Sequence, residues 1–252
     1  MLASLRHRFS TYFSVFNHFT HQIPMMRALY ILSIPLMHLL MRLKITPNQA
    51  TTLSNFLALV GLFFLLLPVS PWIFAVFWSL ALSCDMCDGM IARLTHQSTP
   101  NGAFYDHMTD HIKLLLFFLA ISIKYPSIDI QILAFLSSTF FLFYAVLSEK
   151  STTLELQLFS KFPELDTPTP SAAPTAPLSP LKKFKQWIMP CIFLIHGHTV
   201  FLLIPAAFGS YSTRITLLIF LVSVFVNSRY VLEKCIKLNR QLFSLPGTPS
   251  IL

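Results

Sequence analysis

Apolar residues run along this chain in long, nearly unbroken stretches. Six are long enough to matter, at about 49–68, 72–92, 103–123, 129–148, 187–207 and 214–233. Continuous runs of about 20 apolar residues suit helices crossing a hydrocarbon core of about 30 Å, and strands of that length and continuity are not expected. The pattern therefore predicts an all-α integral membrane protein, a six-transmembrane-helix bundle. A shorter apolar run, 28–41, lies between Arg27 and Arg42 and contains Pro35. It is too short to cross, so it is expected to lie along the interface as an amphipathic helix preceding the bundle. Scattered Arg, His and Asn in the first 24 residues argue against a cleavable signal peptide.

Composition agrees: 54% of the 252 residues are hydrophobic and 11% charged, with mean hydropathy +0.65. That excludes a soluble enzyme, since a soluble domain carries roughly 25% charged residues overall. The formal charge of +8 raises the question of nucleic acid. Its distribution answers it. With the N-terminus in the cytoplasm, five basic residues precede the first span, Arg93 follows the second, five lie from Lys150 to Lys185 and four from Arg229 to Arg240. Only Lys124 and Arg214 fall outside, with Lys113 inside a span, so the positive-inside rule places both termini in the cytoplasm and no nucleic acid is needed.

The predicted organisation is a cytoplasmic N-terminus and interfacial helix (1–48), transmembrane helices one to four (49–150), a flexible Pro-rich cytoplasmic loop (151–186), helices five and six (187–234) and a cytoplasmic tail (235–252). Six of the 17 prolines fall between Pro163 and Pro180, which marks the loop as a linker. Cys84, Cys87, Cys191 and Cys235 are too few for a disulfide scaffold and are read as reduced.

Four of the ten acidic residues, Asp85, Asp88, Asp106 and Asp110, crowd into 26 positions at the end of one apolar helix and the start of the next. A carboxylate at the membrane centre costs about 2.5–3.5 kcal/mol, so this group needs cations to offset it. At 100° per residue Asp85, Asp88, Gly89 and Ala92 share a helical face, as do Asp106 and Asp110 on the next helix. Gly89 and Ala92 leave room between the carboxylates for a ligand with phosphates, and Arg93 on the same face can hold one. Hard oxygen ligands with no suitably placed Cys suit Mg²⁺ or Mn²⁺, and two such ions can bridge a pyrophosphate.

From Asp85 through Asp88-Gly89, Ala92-Arg93 and Gly102 to Asp106 and Asp110, the chain matches D-x2-D-G-x2-A-R-x8-G-x3-D-x3-D at all eight specified positions. It resembles the CDP-alcohol phosphatidyltransferases. The resemblance implies that Asp85, Asp88 and Asp106 hold two divalent cations and that Asp110 is a further ligand and the general base. It also implies that Gly89, Arg93 and Gly102 shape the CDP site, and that the enzyme works in phospholipid biosynthesis. Homodimers are expected on the same ground. Thr46-Pro47-Asn48-Gln49-Ala50-Thr51 resembles the family's Pro-Asn-x-x-Thr segment, which implies that Asn48 and Thr51 help bind cytidine. The same residues also read as an ordinary helix start, with Thr46 as N-cap and Pro47 at the first position.

Donor and acceptor stay open at this stage. One branch of the family uses CDP-diacylglycerol with glycerophosphate, serine or inositol as acceptor; another uses CDP-choline or CDP-ethanolamine with diacylglycerol. Phe104-Tyr105-Asp106-His107 is similar to the F-D-H that the second branch shows around its third Asp, but Tyr105 replaces the residue before Asp and no Gly follows His107. The host is a bacterial inner membrane or an organelle membrane. Lys113, one turn beyond Asp110, either contacts a phosphate or the acceptor or pairs with Asp110. Cys84 and Cys87 point away from the Asp85/Asp88 face and are expected in the core. His196 and His198 are expected to make interhelical hydrogen bonds, with the acceptor pocket as the alternative. A divalent-cation transporter would want acids near the midplane, reachable from both sides; these lie beside a cytoplasmic loop.

Overall fold

The computed structural model describes residues 24–161 and 197–243. Among these no strand occurs, and the order is α1 (Pro24–Arg42), α2 (Pro47–Leu66), α3 (Pro71–Leu94), α4 (Pro100–Lys124), α5 (Ile128–Lys161), a 3₁₀ helix (Gly197–Phe208) and α6 (Ser210–Phe243). The cap chemistry explains why α2, α3 and α4 start where they do. Each opens with proline in its first turn, where the missing N–H is no loss. Thr46 and Gln49 form a reciprocal capping box at α2, and the Thr99 hydroxyl accepts from the Gly102 N–H at α4. At the other end of α1, Lys44 takes φ 58°, and the Lys44 and Ile45 N–H groups donate back to the Met41 and Leu40 carbonyls. That is a left-handed C-terminal cap built without glycine.

Four helical stretches are long and apolar enough to cross a membrane: Pro47–Leu66, Pro71–Leu94, Ile128–Leu158 and Ser210–Arg240. α4, at 25 residues, has the length but carries Asp106, Asp110, Lys113 and Lys124. The run of α1 from Tyr30 to Arg42 is apolar and shorter. The fifth expected span is described only from Gly197 and is 3₁₀ helix there, containing Pro205, which has no N–H to continue an α-helical ladder. His198 lies in this segment; Pro190, Cys191 and His196 lie outside the described residues. So do the first 23 residues and most of the expected loop.

The described residues fall into two compact units, 24–135 with 197–218, and 136–161 with 219–243. In the first, α2 offers a seam of small buried residues, Ala50, Ser54, Ala58 and Gly61. A Cβ on Gly61 would come 3.2 Å from the Phe77 Cβ, so glycine permits the close approach of α3. Behind this seam Phe74, Trp78 and Phe117 pack ring against ring, with centroids 5.4–6.1 Å apart, and all three are fully buried. α1 seats Met37 and Leu40 on Ala50, Cys87, Met90 and Ile91. At the far end of α4 the Lys124 ammonium donates to the Leu65 and Leu67 carbonyls that end α2. The Asp129–Arg214 ion pair ties the start of α5 to the start of α6.

In the second unit Leu154 and Cys235 form a buried contact, with Glu155 and Lys234 paired at 2.8 Å. Here the expected loop boundary needs correction. α5 runs to Lys161, so residues 151–161 are helix rather than linker. No proline or glycine interrupts the chain from Gln131 until Pro163, and Leu154 and Leu158 keep an apolar stripe going. At 34 residues each, α5 and α6 are about 50 Å long and outrun the hydrocarbon core.

Candidate active site

The last three turns of α3 and the first half of α4 bring the carboxylates together in the first unit. Oxygens of Asp85, Asp88 and Asp106 all lie within 4.8 Å of one another. Asp88 is 6% exposed, and one oxygen of Asp106 is buried without a hydrogen-bond partner. Three converging carboxylates with an unsatisfied oxygen are a donor set for a hard divalent cation such as Mg²⁺ or Mn²⁺. Asp110 is one turn further along α4 and stands outside this trio, paired with Lys113 at 2.7 Å.

α2 supplies a second row of contacts. The Thr51 hydroxyl donates to Asp88 at 2.5 Å, and Ser54, one turn on, donates to Asp85 at 3.2 Å. Thr51 and Ser54 are both buried, so each carboxylate is oriented from behind by a hydroxyl that water cannot replace. Lys113 reaches Asp85 at 2.5 Å as well as Asp110. Of the two readings of Lys113, the pairing with Asp110 is seen here, with a second carboxylate added.

Asp88 and Asp106 also border a cavity of about 230 Å³, lined by Asn48, Thr51, Gly89, Ala92, Arg93 and Gly102 among others. All six residues expected at a CDP site are in its wall. Two of them are glycines for a visible reason. A Cβ at Gly102 would stand 3.0 Å from the Asn48 and Thr99 side-chain oxygens, and one at Gly89 3.2 Å from Arg93 Nη1. The Arg93 Nε and Nη2 groups are buried with no hydrogen-bond partner, while the guanidinium reaches Tyr30 on α1. A buried, incompletely satisfied guanidinium calls for an anion, and phosphate fits its fork.

Several residues here had no signal of their own in the sequence. Ser54 and Tyr30 lie outside the motif, and Gln97, Ser98 and Thr99 fill its eight-residue gap while lining the cavity. His96 turns the chain at φ 54°, which brings those three back over the site. Cys84 and Cys87 are free and buried, with the Cys87 thiol donating to the Ser33 carbonyl at 3.5 Å. His111 turns its Nδ1 to the His107 carbonyl at 2.6 Å.

Residues 44–225 match the family described as CDP-alcohol phosphatidyltransferase. The chain belongs to this family. A curated relative, phosphatidylinositol phosphate synthase of Corynebacterium glutamicum, is 40% identical over 79 residues. The matched stretch is 31% of this chain and 36% of the relative, so the chain matches little more than a third of that protein's length.

Proposed function

We propose that this family member transfers a phosphatidyl or phosphoalcohol group from a CDP-linked donor to an alcohol hydroxyl and releases CMP. The observation that carries the reading is the cavity floored by Asp88 and Asp106 with the Arg93 guanidinium in its wall. It juxtaposes a divalent-cation donor set with an anion-seeking group, as a nucleoside diphosphate bound through its metal requires. A cation path alone would have no use for that buried guanidinium.

The donor would lie with cytidine toward Asn48 and Thr51 and its diphosphate passing Gly89, Ala92 and Arg93. Asp85, Asp88 and Asp106 would hold two Mg²⁺ or Mn²⁺ ions, with Asp110 at their edge. Such ions, when bound, neutralise the charge building on the departing phosphate. Asp110, the more exposed carboxylate at 36% of its side chain against 15% for Asp85, would accept the proton of the acceptor hydroxyl. The oxygen of that hydroxyl forms a bond to the distal phosphorus, the bond to the bridging oxygen breaks, and CMP leaves with the electron pair.

The name of the Corynebacterium relative favours the branch in which a phosphatidyl group is transferred to a polar alcohol, with CDP-diacylglycerol as donor. In this reading α4 and the segment around 187–207 complete six spans, α1 rides the interface, both termini are cytoplasmic, and the protein pairs as a homodimer. The reading is tested by supplying CDP-diacylglycerol, CDP-choline and CDP-ethanolamine separately to purified protein with a panel of acceptors. Mass spectrometry should find a new phospholipid from CDP-diacylglycerol and equimolar CMP. CMP from none of the three donors would sink the proposal.

A further inference from the structure

Tyr105 stands just before Asp106 in the chain, yet it belongs to neither the carboxylate trio nor the cavity wall. Its hydroxyl lies 3.1 Å from that of Thr52 on α2. A hydroxyl carries one hydrogen, and Thr52 already gives its own to the Asn48 carbonyl at 2.8 Å, so Tyr105 donates and Thr52 accepts. One turn back along both helices Gly102 lies against Asn48, so closely that a Cβ on Gly102 would stand 3.0 Å from Asn48 Oδ1. Gly102 and Tyr105 on α4 thus meet Asn48 and Thr52 on α2 in two successive rungs. The first is an approach that needs the absence of a side chain; the second is a directional bond. Asn48 lines the cavity from α2, and Gly102, Ala103 and Asp106 line it from α4, so these rungs set the spacing of that wall.

We propose that Tyr105 is a positioning residue for the nucleotide: its bond to Thr52 clasps the start of α4 to the start of α2 and holds Asn48 at the distance at which it meets the donor. The inference rests on the transferase reading, with Asn48 toward the cytidine, and adds to it the device that keeps Asn48 in place. Without the clasp the two helix starts are free to part at Asn48, and a polar contact to the nucleotide weakens steeply as it lengthens. The carboxylates feel this less. Asp106 follows Tyr105 by one residue and so points about 100° away round α4, and Asp88 is held from α2 by Thr51 rather than by Thr52. Loss of the clasp therefore reaches the nucleotide and spares the cation site.

The test uses full-length protein in nanodiscs, with Tyr105→Phe, Thr52→Val, Thr52→Ser and Asn48→Ala set beside wild type. CMP release gives kcat and the donor and acceptor KM, calorimetry with Mn²⁺ present gives the affinity for CDP, and electron paramagnetic resonance counts bound Mn²⁺. Tyr105→Phe keeps the ring and removes one hydroxyl from a residue that is 37% exposed, so it should fold as wild type. It should raise donor KM and the CDP dissociation constant about 5-fold, the scale of one neutral hydrogen bond, with kcat, acceptor KM and the Mn²⁺ count unchanged. Thr52→Val should weaken CDP at least as much, and Thr52→Ser, which keeps the acceptor, should retain most of the affinity. Added to Asn48→Ala, Tyr105→Phe should cost less than about 2-fold more, because both act through one contact. Wild-type donor KM in Tyr105→Phe, a loss of Mn²⁺ or of kcat at unchanged KM, or the full effect persisting on top of Asn48→Ala would each overturn the proposal. Should Thr52→Val not fold, Tyr105→Phe alone decides. A wild-type protein that releases no CMP from any donor defeats the transferase reading itself, whereas active wild type matched by Tyr105→Phe defeats only this inference.

Discussion

Thr51 on α2 and Asp88 on α3 are 37 residues apart in the chain and joined by a 2.5 Å hydrogen bond in its buried interior. The hydroxyl also touches the Pro47 carbonyl at 3.2 Å, so the start of α2 is registered directly on a carboxylate of the candidate metal site. Outer partners of this kind typically change metal affinity by about 10–100-fold. Thr51→Val keeps the shape and removes the donor, and is expected to weaken Mn²⁺ binding by about that factor. Thr51→Ser should bind nearly as wild type. Titration of Mn²⁺ by electron paramagnetic resonance checks both, and unchanged affinity in the valine variant would remove Thr51 from the site's support.

Gly102 on α4 lies against the Asn48 side chain. Gly102→Ala places a methyl 3.0 Å from Asn48 Oδ1 and Thr99 Oγ1, where contact of that closeness forces one of them aside. The Thr99 oxygen caps α4, so Asn48 is the freer partner to move. The expected outcome is a donor KM raised about 10-fold, an interaction of roughly 1.4 kcal/mol, with kcat less affected. Steady-state CMP release against donor concentration measures it.

Arg93 makes the corresponding prediction for the diphosphate. Lysine keeps the charge but loses the planar fork, which matters at a bidentate phosphate contact. Arg93→Lys should raise donor KM by about 10-fold or more without changing the Mn²⁺ count. Equal KM values for lysine and arginine would mean that only charge is needed there.

Much of this site could be read from the chain because its logic is local. Asp85, Asp88, Gly89, Ala92 and Arg93 are spaced by helical turns, so one face of one helix holds them, and Asp106 and Asp110 follow on the next. The supporting contacts could not be read this way. Ser54 meets Asp85 and Lys113 only because the small residues of α2 let α3 come close, and no spacing rule links positions 31 or 59 residues apart. For Lys113 the chain offered Asp110 on its own helix, or a phosphate or the acceptor, and only packing brings in Asp85 on α3. The end of α5 misled for a different reason. Glu149, Lys150 and the residues after them are polar, which suggests an end to the apolar run, yet their helix propensity and the Leu154/Leu158 stripe carry the helix to Lys161. Polarity ends a membrane span; it does not by itself end a helix.

The aromatic knot of Phe74, Trp78 and Phe117 gives a prediction about stability rather than chemistry. Trp78 is 1% exposed and touches both phenylalanines. Trp78→Ala leaves a cavity where α3 meets α4 and should destabilise by about 3–5 kcal/mol. By contrast, Arg214→Ala removes an ion pair whose partners are 41% and 46% exposed, and should cost far less, because solvent screens such a pair. Thermal unfolding in detergent should separate the two clearly, and comparable losses would contradict the placement of the core.

The convergence of Asp85, Asp88 and Asp106 within 4.8 Å is the centre of the account, and Mn²⁺ binding tests it most directly. Purified protein titrated with Mn²⁺ should show saturable sites that compete with Mg²⁺ and are lost in Asp106→Asn, with CMP release from CDP-diacylglycerol abolished by the same substitution and by a chelator. Mn²⁺ binding that is the same in Asp106→Asn as in wild type, or CMP release that persists in excess chelator, would contradict it.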